Sequence, residues 1–429
     1  MTEMQGVLAI PRLAESGGPL SLDRVRWIVL VASCLVNLCI GSLYAWSVFA
    51  SPMTAHLNAV NGFDVGSLAV VFSVANAVGP VTMISGGVVN DRLGPRWVIL
   101  AGGVLFGAGM IGAGFSSSVG TLVVTYGLGC GLGMGLVYGA VVSNAVKFFP
   151  DKKGLVGGIV TAAYGISSVL VPLVANALIA SLDVVAAFQL LGAAMLLIIT
   201  VSSLAIKRCP EGYAPRGWTA PVVAGPAGDR APMGSRNFDW RGMLASPAFY
   251  VMMAMLCCGA FSGLMVTSQA SGLAQALGGM DAGSAALAVS LLALANTAGR
   301  IVAGFVSDRL GSVRTLRLVF VLLALAMAAV GLSGPTTVGL FLAGLLVVGF
   351  CFGSVMGIYP GFTAQQFGAK NNSVNYGIMF IGFALAGVLG PMVMAGLHGA
   401  FGSYVPAFAF AAALAVAGVA LTGLFQRLD

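Results

Sequence analysis

Charge is what this chain has least of. Only 8% of its 429 residues are charged, 13 of them acidic, and there are two histidines. With 59% hydrophobic residues beside so little charge, a soluble globule is excluded and no hydrophilic stretch is long enough for a sizeable soluble domain. His56 and His398 lie far apart near predicted helix ends, so neither points to a zinc or haem centre. The cysteines are odd in number, seven, and sit almost entirely in apolar segments, which does not suggest a disulfide framework. Cys34, Cys39, Cys130, Cys257, Cys258 and Cys351 sit in apolar runs and Cys209 in a loop, where they read as small packing residues. No metal cluster, activated nucleophile or pair of carboxylates falls inside the apolar runs, which argues against an enzyme, and no cofactor or metal is expected. No signal peptide is evident, because the first apolar run follows Arg24 and Arg26 and is long enough to remain as a helix.

What is there in abundance is apolar sequence. Twelve segments are long enough to span a bilayer, near 27–50, 65–89, 97–116, 119–143, 155–181, 184–206, 248–272, 284–307, 315–333, 337–360, 375–399 and 403–425. They divide into a tail at 1–26, a six-helix bundle at 27–206, a linker at 207–247, a second six-helix bundle at 248–425 and a short tail at 426–429. The net charge of +7 raises the question of a nucleic-acid partner, but the placement of the charges answers it. Apart from Arg300, every Lys and Arg lies on one side of the alternating topology: Arg12, Arg24 and Arg26; Arg92 and Arg96; Lys147, Lys152 and Lys153; Lys207, Arg208, Arg216, Arg230, Arg236 and Arg241; Arg309, Arg314 and Arg317; Lys370; Arg427. This positive-inside pattern predicts an integral protein of the plasma (inner) membrane with both termini and the linker in the cytoplasm, in contact with lipid and not with nucleic acid.

The exception carries the functional reading. The segment 287–308, LAVSLLALANTAGRIVAGFVSD, is apolar enough to cross the membrane and holds Arg300 at its middle. A charge at that depth costs roughly 2.5–3.5 kcal/mol or more, so it is expected to face a cavity or a partner. Asn296 lies one helical turn before it and Gly304 one turn after, placing an amide beside the guanidinium and open backbone below. That face suits a small anion; the competing reading is a structural arginine bonded to backbone carbonyls of neighbouring helices.

Other polar or irregular positions inside the spans extend the candidate site. Tyr44 lies near the end of the first helix, which is expected to stop near Ser51 and Pro52, and is either a cavity residue or an interface anchor. In the fourth segment Gly127, Gly131, Gly135 and Gly139 recur every four residues, giving a stripe that admits a close helix neighbour, with Tyr138 beside it. In the tenth, Tyr359 precedes Pro360, where a broken hydrogen-bond ladder is expected, and Phe352 lies two turns earlier. The fifth offers Tyr164 and Pro172; the eleventh offers Phe380, Phe383 and Pro391. Matching Gly and Pro interruptions in two halves point to a site near the midplane.

The halves also share a motif. NDRLGPR after the second helix and SDRLGS after the eighth repeat DRLG at equivalent positions, with Asp91, Arg92 and Gly94 in one and Asp308, Arg309 and Gly311 in the other. Glycine permits the tight turn, while Asp and Arg can cap and pair at the helix ends. With these loops in view the chain resembles the major facilitator superfamily over essentially its whole length. The segment 147–165, KFFPDKKGLVGGIVTAAYG, is similar to the entry into helix five of monocarboxylate transporters and oxalate/formate exchangers. That resemblance implies an all-α membrane protein of twelve transmembrane helices in two pseudo-symmetric six-helix bundles, working by alternating access as a monomer. It also implies that Arg300 binds a substrate carboxylate within an aromatic cage including Tyr44, Tyr138 and the tenth helix.

Two departures narrow the expectation. Where the oxalate exchangers have a lysine on helix eleven, this chain has Phe383, so one cation suits a monoanion. Where animal monocarboxylate transporters have an aspartate before the arginine, this chain has Asn296, and all acidic residues fall in predicted loops or tails. The expected function is therefore secondary transport of small monocarboxylates of the lactate or pyruvate type, by proton symport or by exchange. Arg300, Asn296, Tyr138, Tyr359, Tyr44 and Tyr164 would be its polar contacts, and Phe352, Phe380 and Phe383 its apolar wall. An oxalate/formate-type antiporter, or a carrier of an uncharged or cationic solute, is the alternative.

Overall fold

The computed structural model describes residues 22–218, 222–224, 230–232 and 237–428. Arg12, Arg236, most of the tail at 1–26, parts of the linker and the last residue lie outside that range. Twelve apolar helices are long enough to cross a membrane: α1 (Leu22–Asn61), α2 (Ala69–Leu93), α3 (Pro95–Gly114), α4 (Val119–Phe148), α5 (Lys153–Ser181), α6 (Val184–Ala205), α7 (Pro247–Ser268), α8 (Ala282–Leu310), α9 (Ser312–Gly331), α10 (Val338–Gln366), α11 (Asn372–Phe401) and α12 (Val405–Leu428). Helices α1–α6 form one bundle and α7–α12 the other, with α5 packed also along α8 and α10 across the seam. The strands among the described residues are two three-residue segments paired antiparallel in the linker, Val222–Ala224 and Arg230–Pro232.

Within an apolar solvent helices associate through close packing, which small residues permit. The glycine stripe of α4 does this: a Cβ on Gly127, Gly131, Gly135 or Gly139 would meet Val71, Ala75, Gly79 and Met83 of α2 in turn. Both helices advance four residues per contact, so the two run alongside each other. Ahead of Gly131 the stripe passes through a π-helical stretch, Val123–Cys130, that its spacing does not announce.

The irregularities fall elsewhere than the prolines indicate. Helix α1 does not stop at Pro52; it tightens into a 3₁₀ turn at Gly41–Ala45 and then continues through Pro52 to Asn61. Pro360 lies inside an unbroken α10, Pro172 inside α5, and Pro391 inside the second part of α11. A proline removes one donor, and a long helix fixed by its neighbours absorbs that loss without ending. The break in α11 comes earlier, at Phe380, between Asn372–Met379 and Ile381–Phe401. Besides the π-helical stretch of α4, two helices are thus irregular, one at Tyr44 and the other at Phe380.

The two bundles meet most closely at the end carrying the DRLG loops. A Cβ on Gly154 or Gly158 of α5 would collide with Gly304 or Arg300 backbone of α8, and one on Gly87 of α2 with Ser373 of α11. Gly304, expected to leave open backbone beneath the arginine, is filled by α5 instead, because glycines on both helices allow backbone contact.

Candidate functional site

Arg300 lies at the level where this close packing ends. It is 5% exposed. Its Nε–H donates to Asn296 Oδ1 at 3.0 Å, one turn back on the same helix. Its Nη1 donates to the Thr161 carbonyl on α5, in the opposite bundle, at 2.8 Å. Gly165, one turn further along α5, lies against the guanidinium: a Cβ there would sit 3.4 Å from Nε, in contact with it. The arginine is therefore already bonded through Nε and Nη1. Part of its hydrogen-bonding capacity is held by a backbone oxygen, as in the competing structural reading, while the amide of Asn296 stands where the helical spacing puts it.

Aromatic rings line the remaining side. The hydroxyls of Tyr44, Tyr138, Tyr164 and Tyr376 lie in the field of the guanidinium. Their rings form a connected series with edge contacts between Tyr44 and Tyr164 (5.4 Å) and between Tyr164 and Tyr138 (5.2 Å). From Tyr138 the series crosses to the other bundle at Phe380 (5.7 Å), which stacks on Phe383 (4.5 Å), and Phe383 is parallel to Phe352 (6.4 Å). Offset and edge-on ring contacts of this kind are favourable beyond the area they cover. Tyr44, Phe380, Phe383 and Asn296 remain partly exposed, whereas Tyr138 and Tyr164 are buried, so the group opens on its Tyr44–Phe380–Phe383 side. Tyr44 lies in the 3₁₀ turn of α1 and Phe380 at the break in α11, so both irregular segments contribute rings to the group.

Arg300, Asn296, Tyr44, Tyr138, Tyr164, Phe352, Phe380 and Phe383 are thus brought together. Tyr359 is not. It is fully buried inside its own bundle, where its hydroxyl donates to the Met252 carbonyl of α7 at 2.8 Å and its ring packs on Phe362. The tenth helix turns Phe352, not Tyr359, to the site. Tyr376 joins the group without having been singled out in sequence, because it falls in the first turns of α11, where a polar residue reads as a helix end. A separate cleft of about 390 Å³, lined by Trp46, Ala50, Thr54 and Phe72 among others, lies between the far part of α1 and the start of α2 and does not include Arg300.

The DRLG motifs act across the seam. Gly94 (φ 93°) and Gly311 (φ 84°) end α2 and α8 in the left-handed region that glycine tolerates, letting α3 and α9 begin at once. The aspartates do not pair with the arginines of their own motifs. Asp91 accepts from Lys147 Nζ at 2.8 Å and from the Val374 backbone N–H of α11 at 3.1 Å. Asp308 accepts from the Gly154 and Leu155 backbone N–H groups of α5 at 2.7 and 2.8 Å. Each carboxylate therefore caps the N-terminus of a helix in the other bundle, where unpaired N–H groups and the helix dipole favour negative charge. Lys147 also donates to the Lys370 carbonyl (3.0 Å), and Asn90 is hydrogen-bonded to Ser373. Arg309 lies over the Phe305 ring at 4.3 Å, and Arg92 is exposed.

Comparison with known proteins agrees with this architecture. A family model described as Major Facilitator Superfamily matches residues 27–391. The Oxalate:formate antiporter of Oxalobacter formigenes is 29% identical over 398 residues, covering 91% of this chain and 89% of the relative. Monocarboxylate transporter 11 of Homo sapiens is 25% identical over 405 residues, covering 91% and 81%. The crystal structure of FucP, a transporter in the outward conformation, superposes with a TM-score of 0.71 at 14% identity, over 94% of this chain and 99% of that one.

Proposed function

Since the chain belongs to the Major Facilitator Superfamily and is a secondary transporter of the alternating-access type, we propose that its cargo is a small monocarboxylate anion held by Arg300. The observation that carries this reading is a buried guanidinium on the seam between two bundles, beside a packed series of tyrosine and phenylalanine rings, with no carboxylate among its hydrogen-bond partners in the described residues. An anion carboxylate is a stronger acceptor than the neutral Thr161 carbonyl, and arginine's planar fork bonds both of its oxygens while staying charged throughout the cycle. Displacement of Thr161 by the anion would remove one tie between the bundles at the moment of binding. Phe352, Phe380 and Phe383 provide an apolar wall for a short alkyl tail.

The relatives' names support an anionic cargo and divide on which one. An oxalate-type dianion is the second reading, favoured by the similarity to the Oxalate:formate antiporter of Oxalobacter formigenes; Phe383, in place of a second cation, weighs toward the monoanion. We place the DRLG end and both termini in the cytoplasm on the positive-inside rule, with the bundles dividing at the linker 207–247. On that placement the cytoplasmic end is the closed one, and the anion enters from the opposite face. With Asn296 beside the arginine, exchange or a proton carried by the substrate is the coupling we favour.

The test is competition for uptake into proteoliposomes by lactate, pyruvate, formate, oxalate, a hexose and a cationic drug, with and without an imposed pH gradient. The monocarboxylates should compete most strongly. Competition by the hexose or the drug with no effect of the acids would reject the anion reading.

A further inference from the structure

Among the tyrosines around the central site, Tyr376 has a fully buried hydroxyl without a hydrogen-bond partner among the described residues. Packing alone does not call for that oxygen, since phenylalanine would fill nearly the same volume. A buried polar group without a partner is costly and calls for an explanation, such as a ligand that supplies the missing bond.

Its position indicates which ligand. Tyr376 and Tyr138 pack against the same ring, Phe380, at 5.8 and 5.7 Å, which sets Tyr376 within the aromatic series beside Arg300 with its hydroxyl unpaired. Tyr376 thus forms the floor of the aromatic group on the DRLG side. It also belongs to the short segment Asn372–Met379, which is set off from the rest of α11 by the break at Phe380. Two residues earlier, Val374 N–H is held by Asp91, and Ser373 is bonded to Asn90. One short helical segment thus has its contacts with Asp91 and Asn90 at one end and an unpaired buried hydroxyl within the aromatic series at the other.

We infer that Tyr376 is an anion-binding residue of the central site, donating its hydroxyl to the carboxylate that Arg300 holds and so tying occupancy to the segment that Asp91 secures. The inference rests on the anion reading proposed above. A hydroxyl bond to a carboxylate is charge-assisted and strong, and it satisfies an atom that otherwise stays unpaired.

The experiment compares wild type, Tyr376→Phe and Arg300→Ala in proteoliposomes, with lactate, pyruvate and formate as probes, and follows thermal unfolding of each ligand-free protein in detergent. Tyr376→Phe should raise KM about tenfold. Its ligand-free unfolding temperature should equal or exceed that of wild type, because an unpaired buried atom has been removed, and added probe should stabilise it less. A structural tyrosine would give the opposite pair of results, a lower unfolding temperature with unchanged KM. Wild-type KM in Tyr376→Phe, alongside lost uptake in Arg300→Ala, would overturn the role of Tyr376 and leave the anion reading intact. Flux of all probes that is indifferent to Arg300→Ala would overturn both.

Discussion

At the scale of single residues, the site is governed by what satisfies one buried positive charge. In the structure those partners are a side-chain amide and a backbone carbonyl, both neutral, so Arg300 is bonded without being neutralised. Asn296→Asp tests this directly. The introduced carboxylate would occupy the guanidinium permanently at neutral pH, and apparent affinity for a monocarboxylate should fall at least tenfold. As pH falls and that carboxyl protonates, the guanidinium is released and affinity should recover, giving an acid-activated uptake profile that wild type lacks. Equal affinity of both proteins across pH would show that the charge is not what the substrate reads. Arg300 and Asn296 were legible in the sequence because a charge in an apolar run has few reasons to be there and helical spacing fixes its neighbour one turn away. Tyr359 and Gly304 misled for the converse reason: the direction each faces is decided by the helix packed against it, which no local pattern records.

Among the helices, backbone irregularity and glycine set where the bundles touch. The sequence pointed to prolines as the interruptions, but Pro52, Pro172, Pro360 and Pro391 all lie inside helices. The breaks at Tyr44 and Phe380 carry no proline, and they arise where tertiary contacts hold aromatic rings at the seam. The glycine stripe of α4 was readable because every member faces the same neighbour. The cross-bundle glycines of α5 were not, since their partners lie on α8 and α10. Gly158→Leu would drive a side chain into the Arg300 carbonyl and hold the bundles apart at the DRLG end. In a cysteine-free background carrying Ser373→Cys, the buried position should then react rapidly with a maleimide, while the Gly158 parent stays protected. Equal protection in both would mean that this packing does not close the seam.

Over the whole molecule, duplication gives the two bundles reciprocal ties: Asp91 reaches the start of α11 and Asp308 the start of α5. The repeat was visible as two DRLG loops, but the sequence alone suggested caps within each loop, because it does not show that the closed halves bring each carboxylate under the opposite helix. Asp308→Asn keeps the shape and removes the charge, weakening the tie by about 1–2 kcal/mol. The Ser373→Cys reporter should then become several-fold more reactive, and more so when Asp91→Asn is added. Unchanged reactivity in the double variant would show that the closed end is held by packing alone. The central claim remains that a lone buried guanidinium selects the cargo, and uptake of radiolabelled lactate into proteoliposomes by wild type, Arg300→Lys and Arg300→Ala tests it most directly. The account predicts saturable uptake by wild type, a loss of at least tenfold in Arg300→Lys, where the bidentate fork is gone, and no uptake above background in Arg300→Ala; undiminished uptake in both variants would contradict it.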